Sequence, residues 1–234
     1  MKKIKIGLLG ASGKMGQALR QSFGKNFIPQ LAVSSQDCPE FKIQKKSISD
    51  LTSQDFKAVD VWIDFTRPEY LKDFLKVSKG AKIKLVSGTT GLNKKEFSQL
   101  KSFSKKSAVF WASNMSPGLW ALRQALKALK LIPQFQVSIE ETHHIHKKDN
   151  PSGTAITLQK DIESILKRKI PTPIGHRIDQ VFGIHKISVK SESETVQFEH
   201  IAHNRTVFAQ GALKAAAFLV KKKQGFYSMD DLNK

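Results

Sequence analysis

Cysteine is nearly absent from this 234-residue chain. Cys38 stands alone, which excludes an intramolecular disulfide framework and leaves any metal site without cysteine support. A reducing compartment, and with it a cytoplasmic location, is the expectation. Long apolar runs are missing as well. The opening Met-Lys-Lys-Ile-Lys and the Ile-Gly-Leu-Leu-Gly-Ala that follows imitate the charged and apolar regions of a secretion signal. The apolar stretch covers only 6–11, is interrupted by glycines and runs on to Lys14. No later segment has the length of a bilayer span, so no membrane partner is expected. Acidic residues are scarce, 20 against 39 lysines and arginines, for a net charge of +19. Such a surplus suits nucleic acid, acidic membrane or anionic substrates. The lysine clusters are short and scattered, however, at 2–3, 45–46, 94–95, 105–106, 147–148 and 221–223. No arginine-rich helix, zinc-finger spacing or aromatic RNA-binding signature accompanies them, so the charge reads as a basic, solvated surface and nucleic acid is not an expected partner. Internal repeats and low-complexity tracts are lacking too.

What is present is the material of a packed core. A hydrophobic fraction of 40% with 15 phenylalanines argues against disorder, and the length allows one large domain or two modest ones. Residues 4–9 read as a short apolar strand, and Gly10-Ala-Ser-Gly13-Lys-Met-Gly16 then opens a helix that continues through Phe23. Glycines at a strand–helix turn let backbone amides approach a pyrophosphate, whose charge the helix dipole also favours. The spacing is G-x-x-G-x-x-G, and by itself the motif leaves a bound dinucleotide and a purely structural turn both open.

The following elements favour the dinucleotide. Segments 28–34, 59–65, 83–87 and 108–111 read as strands, alternating with helices at 68–79 and 94–104. Strands alternating with helices imply a parallel, doubly wound, Rossmann-like α/β sheet that binds ligands at the carboxyl ends of its strands. Three turns rich in small polar residues stand at such ends: Phe65-Thr-Arg-Pro68, Ser87-Gly-Thr-Thr-Gly91 and Ala112-Ser-Asn-Met-Ser-Pro-Gly118. After Gly118 the pattern changes to a helix at 119–131, a strand at 135–140, a helix at 154–167, a loop holding Pro171, Pro173 and Gly175, and two alternating strands near 184–190 and 195–201. This is expected to be a second, α+β domain, spanning 115–205. The dinucleotide-binding domain is expected at 1–114, completed by 206–234 and its alanine-rich, all-apolar helix at 207–220.

Between the two parts of that second domain lies Glu140-Glu-Thr-His-His-Ile-His-Lys-Lys-Asp-Asn-Pro-Ser-Gly-Thr154, which holds three of the seven histidines. Imidazoles, cations and carboxylates in such density suit a polar pocket wall, because these groups are costly to bury unpaired. The Pro-Ser-Gly turn leads into a helix, so the amides of Gly153 and Thr154 form an anion site. Clustered histidines raise the question of zinc, but His143-His144-Ile-His146 lacks both i, i+4 helical spacing and cysteine, and no metal is expected.

With these motifs in order, the chain resembles the dihydrodipicolinate reductase (4-hydroxy-tetrahydrodipicolinate reductase) family of bacterial lysine and diaminopimelate synthesis, nearly from end to end. The likeness rests on Gly10–Gly16, Asp64-Phe-Thr-Arg-Pro-Glu69, Gly88-Thr-Thr-Gly91, Ala112-Ser-Asn-Met-Ser116, Glu141-Thr-His-His-Ile-His-Lys147, Pro151-Ser-Gly-Thr154 and His203-Asn-Arg-Thr-Val-Phe-Ala-Gln-Gly211. The resemblance implies a cofactor, NADPH or NADH, lying across Gly10, Ser12, Gly13, Lys14, Met15 and Gly16. Its nicotinamide end would meet Gly88, Thr89 and Thr90, with Ala112, Asn114 and Met115 close by. A cyclic imine precursor bearing two carboxylates would be held by His144, Lys147, Gly153 and Thr154, with His143 as proton donor and Lys147 as its catalytic partner. A homotetramer is implied as well. The chain departs from the family pattern where Met115 replaces a frequent aromatic residue. Its second domain is shortened between 169 and 182, and Gly183-Ile184-His185 lacks the glutamate of the usual Gly-Glu-His. An NAD-selective site would place a carboxylate after the second strand. Here that strand ends at Ser34-Ser35, with Asp37 a little beyond, and Lys14 is available to a phosphate, so the expectation leans to NADPH or dual use. The rival readings are an amino-acid dehydrogenase on the same architecture and a nonenzymatic nucleic-acid-binding protein.

Overall fold

A strand covered on both faces has to be apolar where it is buried, and Ile4–Leu9 meets that demand as β1 beyond the half-buried Ile4 and Lys5, with Ile6, Leu8 and Leu9 at most 1% exposed. The computed structural model describes residues 3–232. In chain order β1 is followed by α1 (Lys14–Ser22), β2 (Phe27–Val33), β3 (Ile43–Lys45), α2 (Ser53–Ala58), β4 (Val61–Asp64), α3 (Pro68–Val77), β5 (Lys84–Ser87), α4 (Lys94–Phe103) and β6 (Ala108–Trp111). Then come α5 (Pro117–Ala125), a 3-10 segment (Leu126–Leu131), β7 (Gln136–His143), α6 (Gly153–Leu166), β8 (Ile174–Arg177), β9 (Gly183–Lys190) and β10 (Thr195–Ala202). The chain closes with α7 (Thr206–Leu219), β11 (Gly225–Tyr227) and α8 (Met229–Leu232).

The chain divides into two compact units, the first made of Met1–Met115 with Phe208–Lys234 and the second of Ser116–Val207. In the first unit seven strands pair in the order β11-β6-β5-β4-β1-β2-β3, every pairing parallel. Pro68 at the first turn of α3 and a capping box of Asn93 with Glu96 at α4 set where these crossover helices begin. Beneath them Phe56, Trp62 and Phe74 form a cluster with ring centroids 5.1–6.0 Å apart. The path runs outward from β1 through β2 to β3, then returns to the other side of β1 as β4. That reversal is a topological switch point, and it opens a crevice beyond the carboxyl ends of β1 and β4.

The second unit carries a four-stranded mixed sheet, ordered β10-β9-β7-β8, antiparallel except where β8 joins β7. One face of it packs on α5, the 3-10 segment and α6 through Leu119, Leu126, Leu158, Ile162, Ile139 and Ile187. The observed sheets match the α/β and α+β expectation, but details differ. The helix expected over 119–131 is α-helical only to Ala125, and its remainder is 3-10. The segment expected as a proline loop around Gly175 contains β8. Strands β3 and β11 and helices α2 and α8 are additions, each too short to imprint a period on the sequence.

Candidate active site

In the first unit the predicted cofactor contacts all follow the carboxyl ends of sheet strands. Gly10, Ser12 and Gly13 lie in the turn after β1, with Lys14, Met15 and Gly16 opening α1. Gly88, Thr89 and Thr90 follow β5, and Ala112, Asn114 and Met115 follow β6. The turn is tied to β2 by Gly10 and Ala11 N–H groups donating to the Val33 carbonyl at 2.9 and 3.3 Å. Helix α1 begins at Gly13 without a side-chain cap, which leaves its first amides for an anion. Gly16 lets the helix sit directly on the turn, since a Cβ there would stand 2.4 Å from the Gly10 carbonyl oxygen. An uncapped helix start on a cradle that a side chain would fill suits a dinucleotide pyrophosphate.

The neighbouring turns are knotted together by Asp64, a fully buried carboxylate at the end of β4. One oxygen accepts from the Thr66 N–H and hydroxyl at 2.9 and 2.6 Å, the other from the Ser87 and Thr89 hydroxyls at 2.8 and 2.7 Å. Thr89 therefore spends its hydroxyl on Asp64, and its carbonyl accepts from the Trp111 indole at 3.0 Å. Met115 is fully buried, its carbonyl lying where a Cβ on Gly211 would be. Asp64 was visible in the sequence motif, but nothing there marked it as the hub.

In the second unit the period-two alternation of β7 turns Val137, Ile139, Glu141 and His143 to the buried face. A buried carboxylate needs several donors, and Glu141 has them. Its Oε1 accepts from the Ser152 N–H at 2.7 Å and faces the Arg177 guanidinium at 3.4 Å, while its Oε2 accepts from the Ser152 hydroxyl. The same Ser152 hydroxyl accepts from the Ala155 N–H at 3.2 Å and so caps α6. Glu141 thus pins the Pro-Ser-Gly turn to the strand that carries His143.

Around this anchor the predicted residues assemble. Lys147 pairs with Asp149 at 2.7 Å, and the second oxygen of Asp149 accepts from the Gly153 N–H at 3.3 Å. Thr154 is buried in the first turn of α6, and His144 is half-buried with its ring 6.2 Å from that of His146. His146 and Lys148 are exposed. Arg177, on the unexpected strand β8, donates to the carbonyls of Lys147 (3.2 Å) and Asp149 and holds the loop in place.

His143 contacts His185 edge to face, ring centroids 5.1 Å apart, and its Nδ1 lies 3.5 Å from Glu141 Oε2. Gly183 leaves room for the ring, since a Cβ there would lie 3.2 Å from His143 Nε2. Burial pushes His143 down to about 4, helped by the charges of Lys147 and Arg177 and opposed by Asp149. Burial, with the adjacent His143, takes His185 down to about 3. Neither ring nitrogen of His185 has a hydrogen-bond partner among the described residues. Glu141, His143 and His185 offer three metal-type donor atoms within 4.8 Å of one another, a grouping that the spacing of 143–146 alone could not reveal. Ser152 and Arg177 already occupy the carboxylate, and the guanidinium opposes a second cation there.

Two histidines held neutral on folding have a consequence for acid stability. The unfolded chain takes up protons below the ordinary value of 6.5, whereas folded His143 and His185 wait until about 4 and about 3. The unfolded state therefore binds more protons across that window, and stability falls as pH is lowered from about 6.5 toward 4. Urea midpoints measured from pH 7.5 to 4.5 are expected to show the decline, with a shallower slope in His185→Leu. An identical slope in that variant would remove His185 from the account.

The family profile described as "Dihydrodipicolinate reductase, N-terminus" matches residues 4–115, and "Dihydrodipicolinate reductase, C-terminus" matches 119–232. The chain is 47% identical over 232 residues to a 4-hydroxy-tetrahydrodipicolinate reductase of Bdellovibrio bacteriovorus, covering 99% of this chain and 97% of that protein. It is 35% identical over 255 residues to the enzyme of that name from Pelagibacter ubique, with 99% and 98% covered. Among solved structures, a dipicolinate-bound dihydrodipicolinate reductase from Paenisporosarcina sp. TG-14 superposes with a TM-score of 0.76 at 20% identity, covering 97% of each chain. An aspartate dehydrogenase from Thermotoga maritima reaches 0.53 at 17% identity over 94% of this chain and 97% of that one. At those identities the structural likenesses speak for the fold alone.

Proposed function

The chain belongs to the dihydrodipicolinate reductase family, and from that premise we propose that it reduces 4-hydroxy-tetrahydrodipicolinate to tetrahydrodipicolinate with NADPH or NADH, in diaminopimelate and lysine synthesis. The observation that carries the site assignment is the grouping in the second unit of a buried imidazole, an ammonium group and a helix start on one anchored loop. Lys147 and the amides of Gly153 and Thr154 bind a carboxylate of the substrate, and His144 contributes to holding the diacid. His143 delivers the proton that the ring needs once a hydride has arrived, with Lys147 as its partner.

In the first unit Gly10, Ser12, Gly13, Lys14, Met15 and Gly16 would hold the pyrophosphate end of the cofactor. Gly88, Thr89, Thr90, Ala112, Asn114 and Met115 would flank its nicotinamide, Thr89 and Met115 through their backbones. When bound, the dihydronicotinamide supplies the hydride. The acid nearest the end of β2, Asp37, is paired with Lys46, so a cation stands where an NAD-selective site needs a bare carboxylate. This supports NADPH or dual use.

A homotetramer built through the second unit is part of the proposal, supported by exposed Ile145, Ile174, Ile178 and Ile201; a monomer mass by light scattering would remove it. So is a cytoplasmic location. The single cysteine supports it, no helix among the described residues is long and apolar enough to cross a membrane, and fractionation of cells tests it.

The direct test is a coupled assay with freshly made 4-hydroxy-tetrahydrodipicolinate, following nicotinamide absorbance with each cofactor. Turnover is expected with kcat/KM for NADPH at least equal to that for NADH. Lys46→Ala is expected to lower the NADPH value about fivefold, the scale of one exposed charge-assisted contact, and to spare NADH. Oxidation of neither cofactor would overturn the activity, and a strong NADH preference would overturn the cofactor reading alone.

A further inference from the structure

The two groups assigned above to a substrate carboxylate are already taken by a carboxylate of the chain itself. Asp149 places one oxygen 2.7 Å from the Lys147 ammonium and the other 3.3 Å from the Gly153 N–H. These are the bidentate contacts that an incoming carboxylate would make. We infer that Asp149 is a resident stand-in that occupies the carboxylate subsite of the ligand-free enzyme and is exchanged for the substrate carboxylate on binding. This inference rests on the functional reading above.

Three observations separate a displaceable stand-in from a structural ion pair. Besides Lys147 and Gly153, the Asp149 carboxylate is served only by its own backbone N–H among the described residues, so releasing it unpairs no donor of another residue outside the subsite. It is 35% exposed, which lets the freed carboxylate swing to water at little desolvation cost. Its backbone is held independently, because the Arg177 guanidinium binds the carbonyls of Lys147 and Asp149, and the Asn150 amide donates to the Gly175 carbonyl at 3.3 Å. A rotamer change can therefore empty the subsite while the loop stays in place.

Charge makes the exchange selective. Lys147 and Arg177 are balanced by Glu141 and Asp149 in the resting loop. A ligand carboxylate that replaces Asp149 preserves the balance, whereas a neutral ester or amide at that position would leave Lys147 facing an unpaired gap. Burial works to raise the Asp149 carboxyl, but Lys147 and the Gly153 N–H together hold it below its ordinary value. It thus stays an anion, and a competitor, across the neutral range. Apparent affinity is the intrinsic affinity multiplied by the fraction of enzyme whose subsite is empty.

The test compares wild type with Asp149→Asn in dipicolinate binding by calorimetry and in KM for 4-hydroxy-tetrahydrodipicolinate. A subsite about 90% self-occupied predicts that the substitution lowers both the dipicolinate Kd and KM by about tenfold. It also predicts that sulfate becomes a competitive inhibitor at lower concentration than in wild type. Asp149→Ser, which removes the charge in a smaller side chain, repeats the comparison, and thermal melting of each variant establishes that it is folded. Folded variants that bind dipicolinate no tighter than wild type, or more weakly, overturn the stand-in and make Asp149 a support for Lys147. A wild-type enzyme that neither binds dipicolinate nor turns over the substrate overturns the functional reading, and the inference with it.

Discussion

His143→Ala is expected to cut kcat by about 10²- to 10⁴-fold, the range lost with a positioned proton donor, while NADPH binding to the first unit stays intact. The size of the effect follows from how the ring is held. His143 is packed against His185, beside Glu141 Oε2, and burial, helped by the charges of Lys147 and Arg177, presses its protonation down to about 4. At neutral pH that imidazole is uncharged and is not in its imidazolium, proton-donating form. A ligand carboxylate that takes the place of Asp149 leaves the charge beside Lys147 unchanged, and the second carboxylate of a diacid adds a negative charge, which acts in the raising direction as Asp149 does. Bringing in a diacid therefore moves His143 toward its charged form. Dipicolinate binding near pH 6 should be accompanied by proton uptake, read by calorimetry in two buffers of different ionisation enthalpy, and uptake should vanish in His143→Ala. The sign carries to turnover: a protonated donor is the active form, so kcat declines as pH rises through the value His143 adopts with ligand bound. A kcat loss of less than tenfold in His143→Ala would remove the residue from proton delivery.

Much of the fold and part of the site were legible in the sequence, and the boundary between what was and was not has a physical cause. Runs such as 4–9 and 59–65, apolar but for Lys5, Asp60 and Asp64, announce strands because burial on both sheet faces demands mostly apolar side chains, and Pro68 and Asn93 mark helix starts through local backbone chemistry. The short segments β3, β8 and β11 carry no such signature. They are strands because a neighbour offers them a ladder, and that is a property of the assembled sheet. The site divides in the same way. His143, Lys147, Gly153 and Thr154 lie within twelve residues and read as one chemical group. Arg177 and His185 reach the same place from β8 and β9, and only the pairing of those strands with β7 brings them there. Asp149 was in view as one letter of the motif, but its hold on the subsite depends on the geometry of the turn. The zinc question was likewise put to 143–146, whereas the donors that do converge lie at 141, 143 and 185.

Glu141→Leu is expected to be the most damaging substitution outside the groups proposed to touch substrate. The carboxylate is fully buried and serves the Ser152 N–H, the Ser152 hydroxyl and the Arg177 guanidinium at once. Leucine matches the volume roughly but leaves the two Ser152 donors without an acceptor and Arg177 without its carboxylate partner. Removing one partner of a buried charge pair costs about 3–5 kcal/mol, a large share of the stability of a domain this size. Because Ser152 also caps α6 through the Ala155 N–H, the loss is expected to spread to the helix start that presents Gly153 and Thr154. Hydrogen exchange provides the local reading: the amides of Ser152 and Ala155 should lose protection well before those of Ile139 and Ile187 in the core of the same unit. Glu141→Gln, which keeps an acceptor oxygen, is expected to recover part of the stability and little of the activity, because the neutral amide no longer balances Arg177 beside His143. Full protection at Ser152 in Glu141→Leu would show that the turn is held by something other than this carboxylate.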